Sequence, residues 1–310
     1  MSAEFTVAAW HKGEACVEAL FGGSRAAFTW AVEDNPAGTR LTHARRAGRT
    51  IAALASVPVR TRVVGETKIF AQRWSGWCAP GEEEALRAVE RALYEVHGGP
   101  DGDLVHYAWP REPEIPGLKA DGDYELLRVG TLFGRACEGG PRTLPSGVHR
   151  VERFGPEADV LYACCATHWN ASAIRDAAFL NWRFARHPCN AYQSLVFQTG
   201  DTLRGYAIVR AGEEFGPRLG LLLDWLVLPG DEEASETLLA AALAVARAEG
   251  AAGLVTAVPE WSPWAQVFQS RGFEHHATEH LAFVRSSVPR FDMLWLRDNW
   301  WGTLADALLL

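Results

Sequence analysis

The feature that most constrains this chain is a stretch that occurs twice. From Phe179 it reads FLNWRFARHPCNAYQSLVFQTGDTLRGYAIVR, and an eroded copy starts at Phe28 as FTWAVEDNPAGTRLTHARRAGRTIAALASVPVR. Trp30 and Trp182, Pro36 and Pro188, and Gly48 and Gly200 are each 152 positions apart, as are Gly98 and Gly250. Later matches drift slightly: Leu104-Val105 against Leu254-Val255 and Gly122 against Gly272 at 150, Pro80-Gly81 against Pro229-Gly230 at 149. Drift of one to three residues near connections is what loop insertions produce. The chain reads as one fold used twice, and 310 residues give each copy about 150, a normal domain size.

Each copy has the same order of elements. In the first, residues 13–33 read as helical, with Val17, Leu20, Phe21, Phe28 and Trp30 as its apolar positions around Gly22-Gly23. Asn35-Pro36-Ala37-Gly38 stops it, because the residue before proline avoids helical geometry and glycine permits a turn. Strands are expected at 40–45, 50–59 and 67–77, a helix at 82–97, and strands at 103–109 and 124–133. The second copy repeats this: helices at 156–167 and 173–185, strands at 192–199, 203–209 and 219–228, a helix at 231–249, then a strand at 254–258, a helix at 262–270 and a strand at 273–284. Residues 138–147, EGGPRTLPSG, are the expected linker. The expected domains are therefore 1–137 and 148–310.

Composition narrows the partners. A net charge of −8 with only three lysines argues against a nucleic-acid surface, which needs clustered cations. Six cysteines form no CxxC pair and no metal-like spacing with histidine, so no metal is expected. The start of the chain lacks a basic segment followed by an apolar core, and no apolar run reaches the roughly 20 residues of a membrane span. The expectation is a cytoplasmic protein with no membrane partner.

The phrases FLNWRFARHP, LRGYAIVR, LLLDWLVLPGD, LLAAALAVARAEGA and SRGFE, with WAVEDNPAG and ALRAVERALYEVHGG in the first copy, resemble the GCN5-related N-acetyltransferase (GNAT) superfamily. The resemblance covers most of residues 5–285 and implies an α/β (α+β) chain of two tandem GNAT-like domains, each a mixed, mostly antiparallel sheet flanked by helices. It also implies acyl transfer from a thioester, acetyl-CoA or another acyl-CoA, to an amine. In that family the donor's pantetheine arm slots between a splayed fourth strand and the fifth. Its pyrophosphate sits on the amides opening the next helix, through [Gln/Arg]-x-x-Gly-x-[Gly/Ala].

The matching segments here are Cys78-Ala79-Pro80-Gly81-Glu82-Glu83 and Val227-Leu228-Pro229-Gly230-Asp231-Glu232, each with one fitting glycine followed by acids. Helix N-terminal amides favour anions. A carboxylate about 4 Å from a phosphate costs roughly 4 kcal/mol per charge pair at an effective dielectric near 20. A carrier-protein thioester is therefore an alternative donor, and a non-catalytic binding or scaffold protein is the alternative function. Leu226, Val227, Leu228 and Gly230 are the expected donor-binding positions.

Asp224 stands alone in the apolar run LLLDWLVL, where burial would raise its pKa toward that of a general base; the other reading is an aspartate that only fixes the fold. His276, sharing a strand face with His280 and opposite His275, and Tyr206 or Tyr192 are candidate acids. Glu260 and Trp261 are expected to line the mouth of the splay and touch the acceptor. The tail FDMLWLRDNWWGTLADALLL carries Trp295, Trp300, Trp301 and three leucines, too much apolar surface to leave in water. Packing over the second domain, covering a cleft, or meeting a second copy in a homodimer are its three readings.

Overall fold

The computed structural model describes residues 4–12, 14, 20–289 and 291–307. The expected helical positions at 13 and 15–19, Val17 among them, the side chain of Phe21 and the last three leucines lie outside that description. In chain order the strands are β1 (Thr6–Ala9), β2 (Leu41–Arg46), β3 (Arg49–Val63), β4 (Glu66–Cys78), β5 (Asp103–Ala108), β6 (Glu125–Ala136), β7 (Val148–Arg150), β8 (Ala171–Ala173), β9 (Gln193–Thr199), β10 (Thr202–Gly212), β11 (Leu219–Val227), β12 (Gly253–Thr256), β13 (Glu274–Ser286) and β14 (Trp300–Trp301). The helices are α1 (Arg25–Phe28), α2 (Glu83–His97), α3 (Ile115–Asp121), α4 (Glu157–Cys165), α5 (Ala177–Leu180), α6 (Glu232–Ala248), α7 (Pro263–Ser270) and α8 (Met293–Asn299).

The chain divides into two compact units, residues 1–128 with 280–297, and 129–279 with 298–310. The segment 138–147 lies inside the second unit, because the Cys137 N–H donates to Ala252 O and the Arg247 guanidinium donates to the carbonyls of Cys137 and Pro141. In the first unit β2 pairs β1 and β3, β3 pairs β4, and β4 runs parallel to β5. In the second, β9 pairs β7 and β10, β10 pairs β11, and β11 runs parallel to β12. Among these strands each unit thus has one parallel pair, the others being antiparallel.

The strand after that pair is exchanged between the halves of the chain. The end of β13 pairs with β5, Phe283 opposite Ala108, while the end of β6 pairs with β12, Phe133 opposite Thr256. The order of elements alone leads one to close each half with its own last strand. The exchange is built into the packing: Phe283, 1% exposed, sits in one core with Leu54, Val89 and Leu93 of the first half.

The repeated stretch folds alike in both units. Ser24 and Asp176 cap α1 and α5 by accepting from the N–H of Ala27 and Phe179. Each short helix then widens into a π-turn, Thr29–Glu33 and Asn181–Ala185, which holds the buried Trp30 and Trp182. Residues 173–176, expected as helix, are strand end and connection, since the helix begins only past its Asp176 cap.

The second unit is built around α6. An Ala/Leu-rich sequence with no glycine or proline inside favours a helix, and ten of its residues are buried, Leu238, Leu239 and Leu243 among them. Burying each leucine contributes about 1.5–3 kcal/mol. Gly220 of β11 is needed for this contact, because a Cβ there would lie 2.5 Å from Ala246 Cβ. The tail joins the same unit: β14 pairs β8, and Trp301 stacks on Trp169 with centroids 4.5 Å apart.

Candidate functional site

β11 and β12 are parallel neighbours for only two residue pairs, Gly220 with Leu254 and Leu221 with Val255. Beyond these, β11 continues for six residues, and the strands part toward their carboxyl ends. At the point of parting the Thr256 hydroxyl donates to the Leu222 carbonyl at 2.9 Å. Clefts at the carboxyl ends of parallel strands are a recurrent place for ligands. The expected donor positions Leu226 and Val227 lie on this outgoing part of β11 and Leu228 just past its end, and Leu228 is 38% exposed while the two before it are buried.

Gly230, at φ +89°, turns the chain into α6. The first amides of that helix are served by the protein itself. Asp231 caps it, accepting from the Ala234 N–H at 3.0 Å. Arg204 grips the Asp231 carboxylate with two donors, at 2.9 and 2.5 Å, and reaches Glu233 with a third at 2.5 Å. Partial burial pushes the Asp231 carboxyl up, but the bonds from Arg204 and Ala234 outweigh it and hold it below the ordinary carboxylate range. In the first unit Arg46 pairs with Glu82 at the start of α2.

Asp224 and Tyr206 are brought together. The tyrosine hydroxyl donates to Asp224 Oδ2 at 2.9 Å, while Oδ1 accepts from Thr303 at 2.8 Å and from Arg175 Nε at 3.4 Å. Arg175 also binds Asp306 at 2.5 Å and the Ala173 carbonyl at 3.1 Å. Asp224, Tyr206 and Arg175 are all 0% exposed. Burial disfavours the Arg175 charge, but Asp224 and Asp306 outweigh it and hold the guanidinium protonated. Burial first, and the Asp224 charge second, push the Tyr206 hydroxyl well up, so it stays a donor. This is a closed network of satisfied polar groups, of the kind that fixes a core. Tyr192 lies elsewhere, over His187 and beside Arg183.

The loop leaving β12 carries Glu260 and the exposed Trp261. Glu260 Oε1 lies 3.0 Å from His275 Nε2 and accepts from the Thr131 hydroxyl at 3.3 Å. The His275 ring rests against Phe133 at 5.3 Å. His276 points away from this pair and lies over Gly134, where an added Cβ would come within 3.3 Å of its ring; His280 is exposed further along β13. The structure thus joins Glu260 to His275 rather than to His276.

Sequence reasoning did not reach Arg175, Thr303, Asp306 or Arg204. Thr303-Leu304-Ala305-Asp306 has the Thr-x-x-Asp spacing of a capping box, and the structure forms one there. Nothing local to Arg175 announces partners 49 and 131 positions away.

No protein-family model matches the chain, and comparison with curated proteins finds no relative by sequence. Solved structures do match. A probable N-acyltransferase from Enterococcus faecalis V583 superimposes on 92% of this chain and 73% of its own, at a TM-score of 0.65 and 13% identity. A GCN5-related N-acetyltransferase from Anabaena variabilis covers the same shares at a TM-score of 0.64 and 14% identity. The fold is that of the GCN5-related N-acetyltransferases. Saccharomyces cerevisiae N-myristoyltransferase with bound myristoyl-CoA shares this GNAT fold over 92% of this chain and 82% of its own, at a TM-score of 0.55 and 9% identity. Among the described residues no helix is long and apolar enough to cross a membrane.

Proposed function

We propose that the protein moves an acyl group from a thioester to an amine, and that the second unit carries the reaction. The observation behind this reading is the parting of β11 from β12 after two paired residues. Its walls also hold hydrogen-bonding capacity to spare. The Trp225 indole N–H on β11 and the Ser262 hydroxyl on the loop after β12 are buried and have no partner among the described residues. A buried orphan costs about 1–3 kcal/mol, which the carbonyls of a pantetheine arm or thioester would recover. Structures of similar fold include N-acetyltransferases and an N-myristoyltransferase with its acyl-CoA, which supports the same class of donor here.

The nucleotide end of coenzyme A meets a different surface from the usual one. Asp231, held by Arg204, presents its carboxylate at the start of α6. The donor is therefore recognised through its acyl and pantetheine parts, which acyl-CoA and a carrier-bound thioester share. Asp224 and Tyr206 fix the interior of the unit in this reading, and Glu260 and Trp261 meet the amine. A second reading, a GNAT-fold binding protein without catalysis, draws on the tail, whose Thr303 bonds Asp224 and so lies against β11.

The test is release of free thiol from octanoyl-CoA and from S-octanoyl-pantetheine, with and without a primary amine such as benzylamine. Amine-dependent release from both, with the pantetheine thioester at least as good a donor, is the expected result. No release from either, together with no heat of binding by calorimetry, would leave the binding-protein reading.

A further inference from the structure

We propose that His275 is the base that takes the proton from the attacking amine, and that Glu260 is its positioning residue. The proposal rests on the transferase reading for its substrate, but its geometry stands apart from it. An ionised carboxylate only accepts, so in the 3.0 Å contact with Glu260 Oε1 the His275 Nε2 carries the hydrogen and donates it. In the neutral imidazole that leaves the lone pair on Nδ1. Thr131 donates to the same Glu260 oxygen, so the carboxylate is held from two sides. Phe133 backs the ring and limits its rotation. A nucleophile's base oriented by a third group is the arrangement that proton-transfer catalysis uses on many folds.

The location suits the task. Glu260 belongs to the loop that leaves β12 at its carboxyl end, four residues past Thr256, and its partners Thr131 and His275 lie on β6 and β13. Phe133 faces Thr256, the residue at which the two strands part. His275 and Glu260 are both solvent-accessible, with side chains 41% and 66% exposed, unlike the wholly enclosed Asp224. An amine arriving from solvent reaches Nδ1 without opening the core. Trp261, next in sequence and 43% exposed, offers a flat apolar face beside the same carboxylate, which fits an acceptor with an apolar body next to its amine.

The step balances. The amine nitrogen attacks the thioester carbonyl carbon, a C–N bond forms, and the nitrogen gives a proton to Nδ1. The C–S bond then breaks, and the imidazolium returns that proton to the leaving thiolate. The products are an amide and a free thiol, with no further reactant.

Two measurements test this on the full chain. The first is turnover of S-octanoyl-pantetheine with benzylamine. His275→Ala is expected to lower kcat by about 100-fold, within the usual range for a lost general base, with KM little changed. Added imidazole restores part of the rate, which it would not do for a structural defect. Glu260→Gln lowers kcat less, and the surface control His149→Gln leaves it unchanged. The second uses no thioester: diethylpyrocarbonate is followed by mass spectrometry at each histidine. His275 is expected to react faster than His276 and His280, and to lose that lead in Glu260→Gln. Equal reactivity of the three, or full turnover in His275→Ala, overturns the assignment. Selective modification of His275 with no turnover of any thioester overturns the transferase reading and leaves His275 as an activated base for another reaction.

Discussion

Where β11 of the second unit carries Asp224 opposite Ile208, β4 of the first carries Arg73 opposite Ser56, at the corresponding place in the repeat. Both side chains enter a buried polar cluster, but the clusters are closed in different ways. Arg73 donates to Glu90 at 2.8 Å, Tyr94 donates to the same oxygen at 2.7 Å, and Tyr94 and Tyr124 share a hydrogen bond of 3.0 Å. Glu90 and Tyr94 are one turn apart on α2, so the first unit closes its cluster with its own helix. The second recruits Arg175 from the approach to α5, and Thr303 and Asp306 from the tail. It has two carboxylates around one guanidinium, and its interior depends on chain that arrives last. A duplicated fold can thus keep its frame while the two interiors become differently vulnerable.

The sharpest way to break this comparison is Arg175→Met. It leaves Asp224 and Asp306 buried without their cation, and removing one partner of a buried pair typically costs about 3–5 kcal/mol. Urea unfolding should show that loss, and hydrogen exchange should place it in β11 and the tail. Arg73→Met should cost less, about 2 kcal/mol, because Glu90 keeps the Tyr94 hydroxyl and lies closer to solvent. Equal losses in the two variants would show that the clusters are energetically alike despite their construction.

Much of the shared frame could be read before the structure, and the reason is that its signals are local. Trp30 and Trp182, the Pro36 and Pro188 stops, and the Gly200 turn act within a few residues of themselves, and the capped helix and π-turn follow in both units. What could not be read depends on partners far along the chain. Neither β6 nor β13 says in its own sequence which parallel pair it will flank. Alternation along β13 put His275 and His276 on opposite faces, but nothing local told which face meets the loop of Glu260. Asp224 could be read as unusual; only its neighbours decide whether it is exposed chemistry or closed interior.

Acid separates the units next. In the first, Arg40 holds Asp103 in a two-pronged contact, with Nε 2.9 and 3.0 Å from its oxygens. Burial nevertheless pushes the Asp103 carboxyl up to about 6. Burial, with Arg40 also contributing, lowers His97 to about 4, and burial, then Arg285 and Arg40, lowers His106 to about 3. Near pH 5 the unfolded chain protonates both histidines and not Asp103, while the folded chain protonates only Asp103. These three groups then take up one proton net on unfolding, so their contribution to stability falls as pH drops from about 6.5 to about 4, by about 1.4 kcal/mol per pH unit. In a His97→Gln, His106→Gln double variant Asp103 is the one of the three that remains, and its raised pKa gives a contribution of opposite sign, greatest below about 4 and lost as pH rises through about 6, against which His43, lowered by burial, still works. Hydrogen exchange of peptides from β5 and β11, compared between pH 4 and 7, measures the first unit's share. A slope of equal size in β11 would contradict the assignment.

The smallest effect distinguishes the two helix starts. Asp231 caps α6 with its side chain, whereas Glu82 at the start of α2 makes no such bond. Asp231→Ala should therefore cost about 1 kcal/mol, and Glu82→Ala less. The chemical consequence is larger than the energetic one. Without the Asp231 carboxylate, Arg204 and the first amides of α6 become available to an anion, and a carboxylate that would repel phosphate is gone. Calorimetry with coenzyme A should then detect tighter binding in Asp231→Ala than in the natural chain, and little change in Glu82→Ala. If Asp231→Ala bound coenzyme A no better, the carboxylate would not be what keeps the nucleotide from α6, and the preference for the acyl-pantetheine part would need another cause.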